Sequence, residues 1–94
     1  MMKIPIVKLY KVEGESMAPT FKPGNLLLGS ALIKPKIGHV VVVSRNPIII
    51  KRIKDINDQG IWVEGDNSSA STDSRQYGYV SLGSIESVIF MKLA

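Results

Sequence analysis

The segment HVVVVSRNPIIIKRIK, residues 39–54, constrains the fold more than any other part of the chain. Its runs of valine and isoleucine have the composition of strands, because β-branched side chains are stiff at χ1 and pack well on a pleated surface. Two such runs joined through Arg45-Asn46-Pro47 predict a β-hairpin. Similar runs bounded by Gly, Pro, Asn and Asp recur along the chain, whereas a helical 3.6-residue period is hard to find. Strands are expected at about 6–13, 25–30, 39–45, 47–56, 60–65 and 85–93, with turns at 23–24, 34–38, 45–47 and 57–60. The reading is a mainly β fold: a compact core of twisted antiparallel sheets, barrel-like, with long ordered loops.

A chain of 94 residues is one domain with room for a modest core, and its 45% hydrophobic and 21% charged residues are too apolar for disorder. It has no cysteine, which excludes a disulfide framework, a thiolate zinc site and a cysteine nucleophile. The longest apolar runs fall far short of the ~20 residues needed to span a bilayer, and lysines interrupt residues 1–12, so neither a leader nor a membrane segment is expected. A soluble, cytoplasmic protein is the corresponding expectation. The net charge of +4 is spread along the chain, with KRIK at 51–54 its one cluster. No dense basic stripe interleaved with aromatics is present, so the charge reads as solvated surface and no nucleic-acid partner is expected.

Within GESMAPTFKPGN, residues 14–25, a serine sits in a turn made rigid by two prolines and flanked by apolar Met17 and Phe21. A serine hydroxyl becomes a useful nucleophile only beside a base. The one histidine, His39, follows Gly38 at the start of an apolar strand with no carboxylate placed to orient it, and reads as a partly exposed strand-start residue. Lys51 offers a base of another kind. Strand alternation puts it on one face with Ile49 and Ile53, with Ile48 and Ile50 opposite and Arg52 pointing the other way. Burial there would penalise its ammonium form and lower its pKa toward neutrality. The alternative is a lysine that snorkels from an edge strand. The segment GDNSSASTDSRQYG, residues 65–78, is open to two readings, a flexible linker or an ordered functional loop.

Taken together these segments resemble the signal peptidase I family of serine-lysine endopeptidases. GESMAPTFKPGN is similar to that family's nucleophile box, IIIKRI to its lysine box and GDNSSASTDSRQYG to its third box, with GHVVVV as the strand between the first two. The resemblance implies a signal-peptidase-like core in which Ser16 is the nucleophile and Lys51 the general base, oriented by a hydrogen bond with Ser71. It further implies an Asp73–Arg75 ion pair supporting the third loop, which Gly65, Asp66 and Asn67 begin. The Ser16 N–H would be one oxyanion donor. Gly14 stands where some members carry a second, hydroxyl donor, while Met17, Pro19 and Pro23 would fix the nucleophile loop. For Asp66 and Asn67 the competing reading is a pair of local turns, and for Asp73 and Arg75 a surface ion pair.

The short spacing between lysine box and third box leaves no space for the large extra β domain of many members, so a bare catalytic core is expected. The run ASTDSR after WVEGDN is most similar to the small soluble branch of nickel superoxide dismutase maturation proteases. That branch implies a precursor polypeptide as substrate, bound as an extended strand and trimmed of a leader or propeptide, with no metal or organic cofactor. Two alternatives remain: a catalytically inactive peptide-binding module of the same fold, and a basic nucleic-acid-binding β-barrel. The SOS-repressor autoproteolytic domains are said to share the fold and dyad, but lack the third box seen here.

Overall fold

The computed structural model describes residues 7–94, so the first residue of the strand expected at 6–13 and the first half of the interrupted stretch at 1–12 lie outside the described residues. Six strands form one antiparallel sheet: β1 (Val7–Lys11), β2 (Leu26–Ser30), β3 (Val40–Val43), β4 (Ile49–Asn57), β5 (Gly60–Glu64) and β6 (Ile85–Lys92). Their order across the sheet is β1-β2-β6-β3-β4-β5. Both expected hairpins form. Val43 lies opposite Ile49 across the Arg45-Asn46-Pro47 connection, and Asn57 lies opposite Gly60.

The run of four valines is explained by what covers each face. In β3, Val40 and Val42 belong to one core cluster with Tyr10, Val12, Met17, Leu27 and Ile89. Val41 and Val43 belong to a second, with Ile53, Ile61, Val63, Val80 and Val88. Side chains alternate across a strand, so a strand buried on both faces is apolar at every position. The first cluster is capped by the connection between β1 and β2, through Val12, Met17 and Phe21; the second is capped by the long segment after β5, through Tyr77 and Val80.

This two-sided covering corrects the expectation of a barrel-like closure. Among the described residues β1 pairs only with β2 and β5, of the six strands, only with β4, so the sheet is open with two edges. Connections bury the two faces, and the sheet has no need to curl and enclose a core of its own. The β5 edge is partly occupied by a bridge in which Ile61 and Val80 exchange backbone hydrogen bonds of 2.8 Å. At the turn into β5, Gly60 has φ +127° and packs against the Val80 carbonyl, a conformation and an approach that a side chain would prevent.

The segment at 65–78 is an ordered loop. It holds a 3-10 turn (Ser68–Ala70) and a one-turn helix, α1 (Ser74–Tyr77), started by a capping box in which Asp73 accepts from the Arg75 N–H and Gln76 accepts from the Asp73 N–H. The Val63 N–H donates to Ser74 Oγ at 2.8 Å, which ties α1 to β5. Among the described residues no helix is long and apolar enough to cross a membrane.

Leu27 is fully buried in the first cluster. Leu27→Ala is expected to lower unfolding free energy by about 3 kcal/mol in urea denaturation, the cost of a buried leucine cavity. A loss below about 1 kcal/mol would show that the β1-β2 end of the sheet contributes little to the core.

Candidate active site

Ser16 lies in the turn between β1 and β2. The turn is closed locally by Ala18 N–H donating to the Glu15 carbonyl (3.1 Å) and Phe21 N–H donating to the Met17 carbonyl (2.9 Å). Met17 is 1% exposed and anchors the turn in the core, so an apolar residue beside the serine has a structural use. Gly14 opens the turn at φ +73°, where a side chain would be strained, and Pro19 is exposed on its far side. Among the described residues neither the Ser16 hydroxyl nor its N–H makes a hydrogen bond. Both groups remain available to a ligand.

Lys51 sits in β4 opposite Val41 and is 4% exposed. It shares with Ser16 a cavity of about 270 Å³, whose walls also include Val12, Met17, Ile49 and Ile50. The Lys51 amine donates to Ser71 Oγ at 2.9 Å. The Ser71 hydroxyl in turn donates to Asp73 Oδ2 at 2.5 Å. A hydroxyl has one proton, and this one is committed to a carboxylate, so Ser71 meets the lysine only as an acceptor. A neutral Lys51 would therefore keep its lone pair free to take a proton from elsewhere. Burial lowers the Lys51 pKa from its ordinary 10.5; the Asp73 charge opposes this and the Arg75 charge reinforces it. No carboxylate touches the amine directly, which is why desolvation prevails.

Asp73 is fully buried at the end of this chain. Burial alone would raise its pKa. Hydrogen bonds from Arg75, Ser71 and the backbone N–H groups of Gly65 and Arg75 outweigh that and hold it well below the carboxylate range. Arg75 contributes Nε at 3.0 Å and Nη2 at 2.6 Å, a two-pronged contact, so the ion pair expected from sequence is present.

The third loop also grips the nucleophile turn. The Asn67 N–H donates to the Ser16 carbonyl at 2.8 Å, and Asn67 Nδ2 donates to the Glu15 carbonyl at 3.1 Å. Asp66 accepts from Thr20 Oγ1 at 2.6 Å and from Arg52 Nε and Nη2 at 2.9 and 2.8 Å. The Arg52 hydrogen bonds hold the Asp66 pKa down despite its partial burial. Asp66 and Asn67 thus bridge three segments, which the local-turn reading did not foresee. Arg52 and Thr20 were missed as site-forming residues. The signal was present in KRIK: with Lys51 buried and Arg52 paired, two of its three charges are withdrawn from the surface.

Gly65 is the tightest point of the assembly. A Cβ there would lie 2.6 Å from both the Ser16 carbonyl oxygen and Ser71 Cβ, and closer still to Ser71 Oγ. Only glycine lets the two loops meet. His39 does not line the cavity shared by Ser16 and Lys51; its Nδ1 accepts from the Lys36 N–H at 3.0 Å and closes a turn.

The site is formed where two loops meet against an open antiparallel sheet. Residues 5–81 match the Peptidase S24-like family, and the chain belongs to it. No curated protein matches the chain. Membership supports a serine-peptidase type of function; the match is to the S24-like family and not specifically to the signal peptidase I family, or to the maturation-protease branch, that the motifs resemble.

Two outcomes test this geometry. Gly65→Ala is expected to destabilise by about 1–3 kcal/mol in urea unfolding, the range for forced overpacking; unchanged stability would mean the loops have slack. Because the folded Asp73 pKa lies below its ordinary 3.8, its stabilisation is present above that pH and is lost as pH falls from there through the folded value. Asp73→Asn is therefore expected to be less stable than wild type at neutral pH and to lose less on acidification below 3.8. Parallel acid-unfolding curves would contradict that assignment.

Proposed function

We propose that this chain is a serine endopeptidase working through a Ser16–Lys51 dyad, of the kind found in signal peptidase I. The observation that supports it most is the buried Lys51 amine, held by a hydroxyl and touched by no carboxylate, in one cavity with Ser16. In the deprotonated form its lone pair would accept the Ser16 proton as Oγ attacks the scissile carbonyl. The developing oxyanion would meet the unengaged Ser16 N–H. Collapse expels the amine product, protonated by Lys51, and leaves an acyl-enzyme on Ser16 Oγ. A water deprotonated by the same lysine then releases the acid product and frees the serine. The residues this chain brings to the mechanism need no metal or organic cofactor.

The substrate reading is an extended segment of a precursor polypeptide. β4 pairs with β5 only from Arg52 onward, so among the described residues Ile49–Lys51 have a strand neighbour on the β3 side alone. Backbone pairing along that free side would carry a peptide past Ser16. The reaction would be removal of a leader or propeptide, and the similarity of ASTDSR and WVEGDN to nickel superoxide dismutase maturation proteases supports that dismutase's precursor as substrate. One observation favours an inactive peptide-binding module instead: the Lys51 amine bonds Ser71 and not Ser16 among the described residues. Dyad contacts often tighten only with substrate in place.

Incubating the purified chain with a cell extract and sequencing new protein N-termini by mass spectrometry separates the two readings. Cuts that appear with wild type and vanish in both Ser16→Ala and Lys51→Ala are expected, a loss of at least about 10³-fold for a dyad member. Identical termini from all three proteins would refute the peptidase reading and leave the binding module.

A further inference from the structure

A second opening in the sheet lies away from Ser16. β3 first meets β6 where Val41 lies opposite Val88. Beyond Val88, β6 runs on to Lys92 with β2 beside it, Leu28 opposite Met91 and Leu27 opposite Lys92. On the β3 side, Ile89–Lys92 have no neighbouring strand among the described residues, because the chain before Val40 turns away through Gly38 and His39. An unpaired stretch of strand presents free N–H and C=O groups, which folded proteins usually shield. Here they are flanked by Phe90 and Met91, 45% and 49% exposed.

Beside this stretch lies a cavity of about 280 Å³ whose walls include Phe21, His39, Arg52, Phe90 and Lys92. It shares no residue with the cavity that holds Ser16 and Lys51. Its lining includes two aromatic rings, Phe21 and Phe90, and its charged side chains, Arg52 and Lys92, are basic. Lys92 has no ion-pair partner among the described residues, and no carboxylate is among the lining residues; Asp66 is committed to Arg52 and Thr20. His39 takes a hydrogen bond on Nδ1, which leaves Nε2 as its unengaged ring nitrogen.

We propose that this gap is a docking site for an extended acidic segment of a partner protein, which adds to β6 as a further strand. Backbone pairing along Ile89–Lys92 would supply affinity that is indifferent to sequence. Specificity would come from two residues of the partner, two apart and so on one face: an apolar side chain over Phe21 and Phe90, and a carboxylate beside Lys92. The site is independent of the peptidase reading. Its residues reach the nucleophile turn through Phe21, whose N–H closes that turn, through Val40 and Ile89, which share a core cluster with Met17, and through Arg52, which holds Asp66.

The test is an amide NMR titration of the full chain with a short synthetic peptide that alternates threonine with, in turn, valine, glutamate and valine. Shifts are expected at Gly38–Val40 and Ile89–Lys92, with affinity falling as salt rises. Replacing the peptide's glutamate by lysine is expected to weaken binding about fivefold, the factor of a favourable exposed ion pair. Lys92→Glu, at an exposed strand end, is expected to reverse that preference while keeping the dispersed spectrum of the folded chain. Three results would overturn the proposal. Shifts confined to Val12, Ser16 and Ile49–Lys51 would place the peptide in the other cavity. Equal binding of both peptides would remove the charge argument. Concentration-dependent shifts at Ile89–Lys92 without peptide would mean that a second copy of the chain fills the gap.

Discussion

The Lys51 amine is kept out of water and one hydroxyl away from the nearest carboxylate, and the surrounding structure is arranged around that separation. If Asp73 touched the amine directly, the pair would be an ordinary buried salt bridge with a firmly protonated lysine. Ser71 stands between them, accepting from the amine and donating to the acid. Asp73 in turn is held by Arg75, by the Gly65 N–H and by its own capping box, so its charge is satisfied without the lysine. Desolvation then governs Lys51, and its pKa falls.

That separation requires three pieces of chain to meet with little tolerance. β4 supplies Lys51, whose direction is fixed by pairing with β3. The third loop supplies Ser71 and Asp73, tied to β5 through Ser74 and to the nucleophile turn through Asn67. The nucleophile turn is pinned by Met17 in the core and by Thr20 on Asp66. Gly65 is where the last two approach most closely, and its missing side chain is part of the site's design. The same economy leaves two places where the sheet lacks a neighbour, beside Ile49–Lys51 and beside Ile89–Lys92, and each borders a cavity.

Much of this was legible in the sequence. All six strands were, because runs such as VVVV and IIIK state their own preference and Gly, Pro and Asn mark where they stop. The face carrying Lys51 followed from alternation along β4, and the Asp73–Arg75 pair was implied by the resemblance of the third box. Closure of the sheet was not legible, since local pattern says that β3 is covered on both faces without saying by what. The Arg52–Asp66–Thr20 bridge joins residues 14 and 46 positions apart, and only the folded chain brings them together. The steric role of Gly65 and the direction of the Ser71 hydroxyl depend likewise on where two loops come to rest.

The most direct measurement is the titration of Lys51 itself, followed by NMR of selectively labelled lysine Cε in the folded chain, with Lys51→Arg used to assign the signal. The account expects a midpoint below the ordinary 10.5, while exposed lysines titrate in their usual range. A Lys51 midpoint at or above 10.5 would mean that Asp73 reaches the amine electrostatically after all. The central claim, a lysine freed of its proton by burial behind Ser71 so that its lone pair can serve as the base, would then be contradicted.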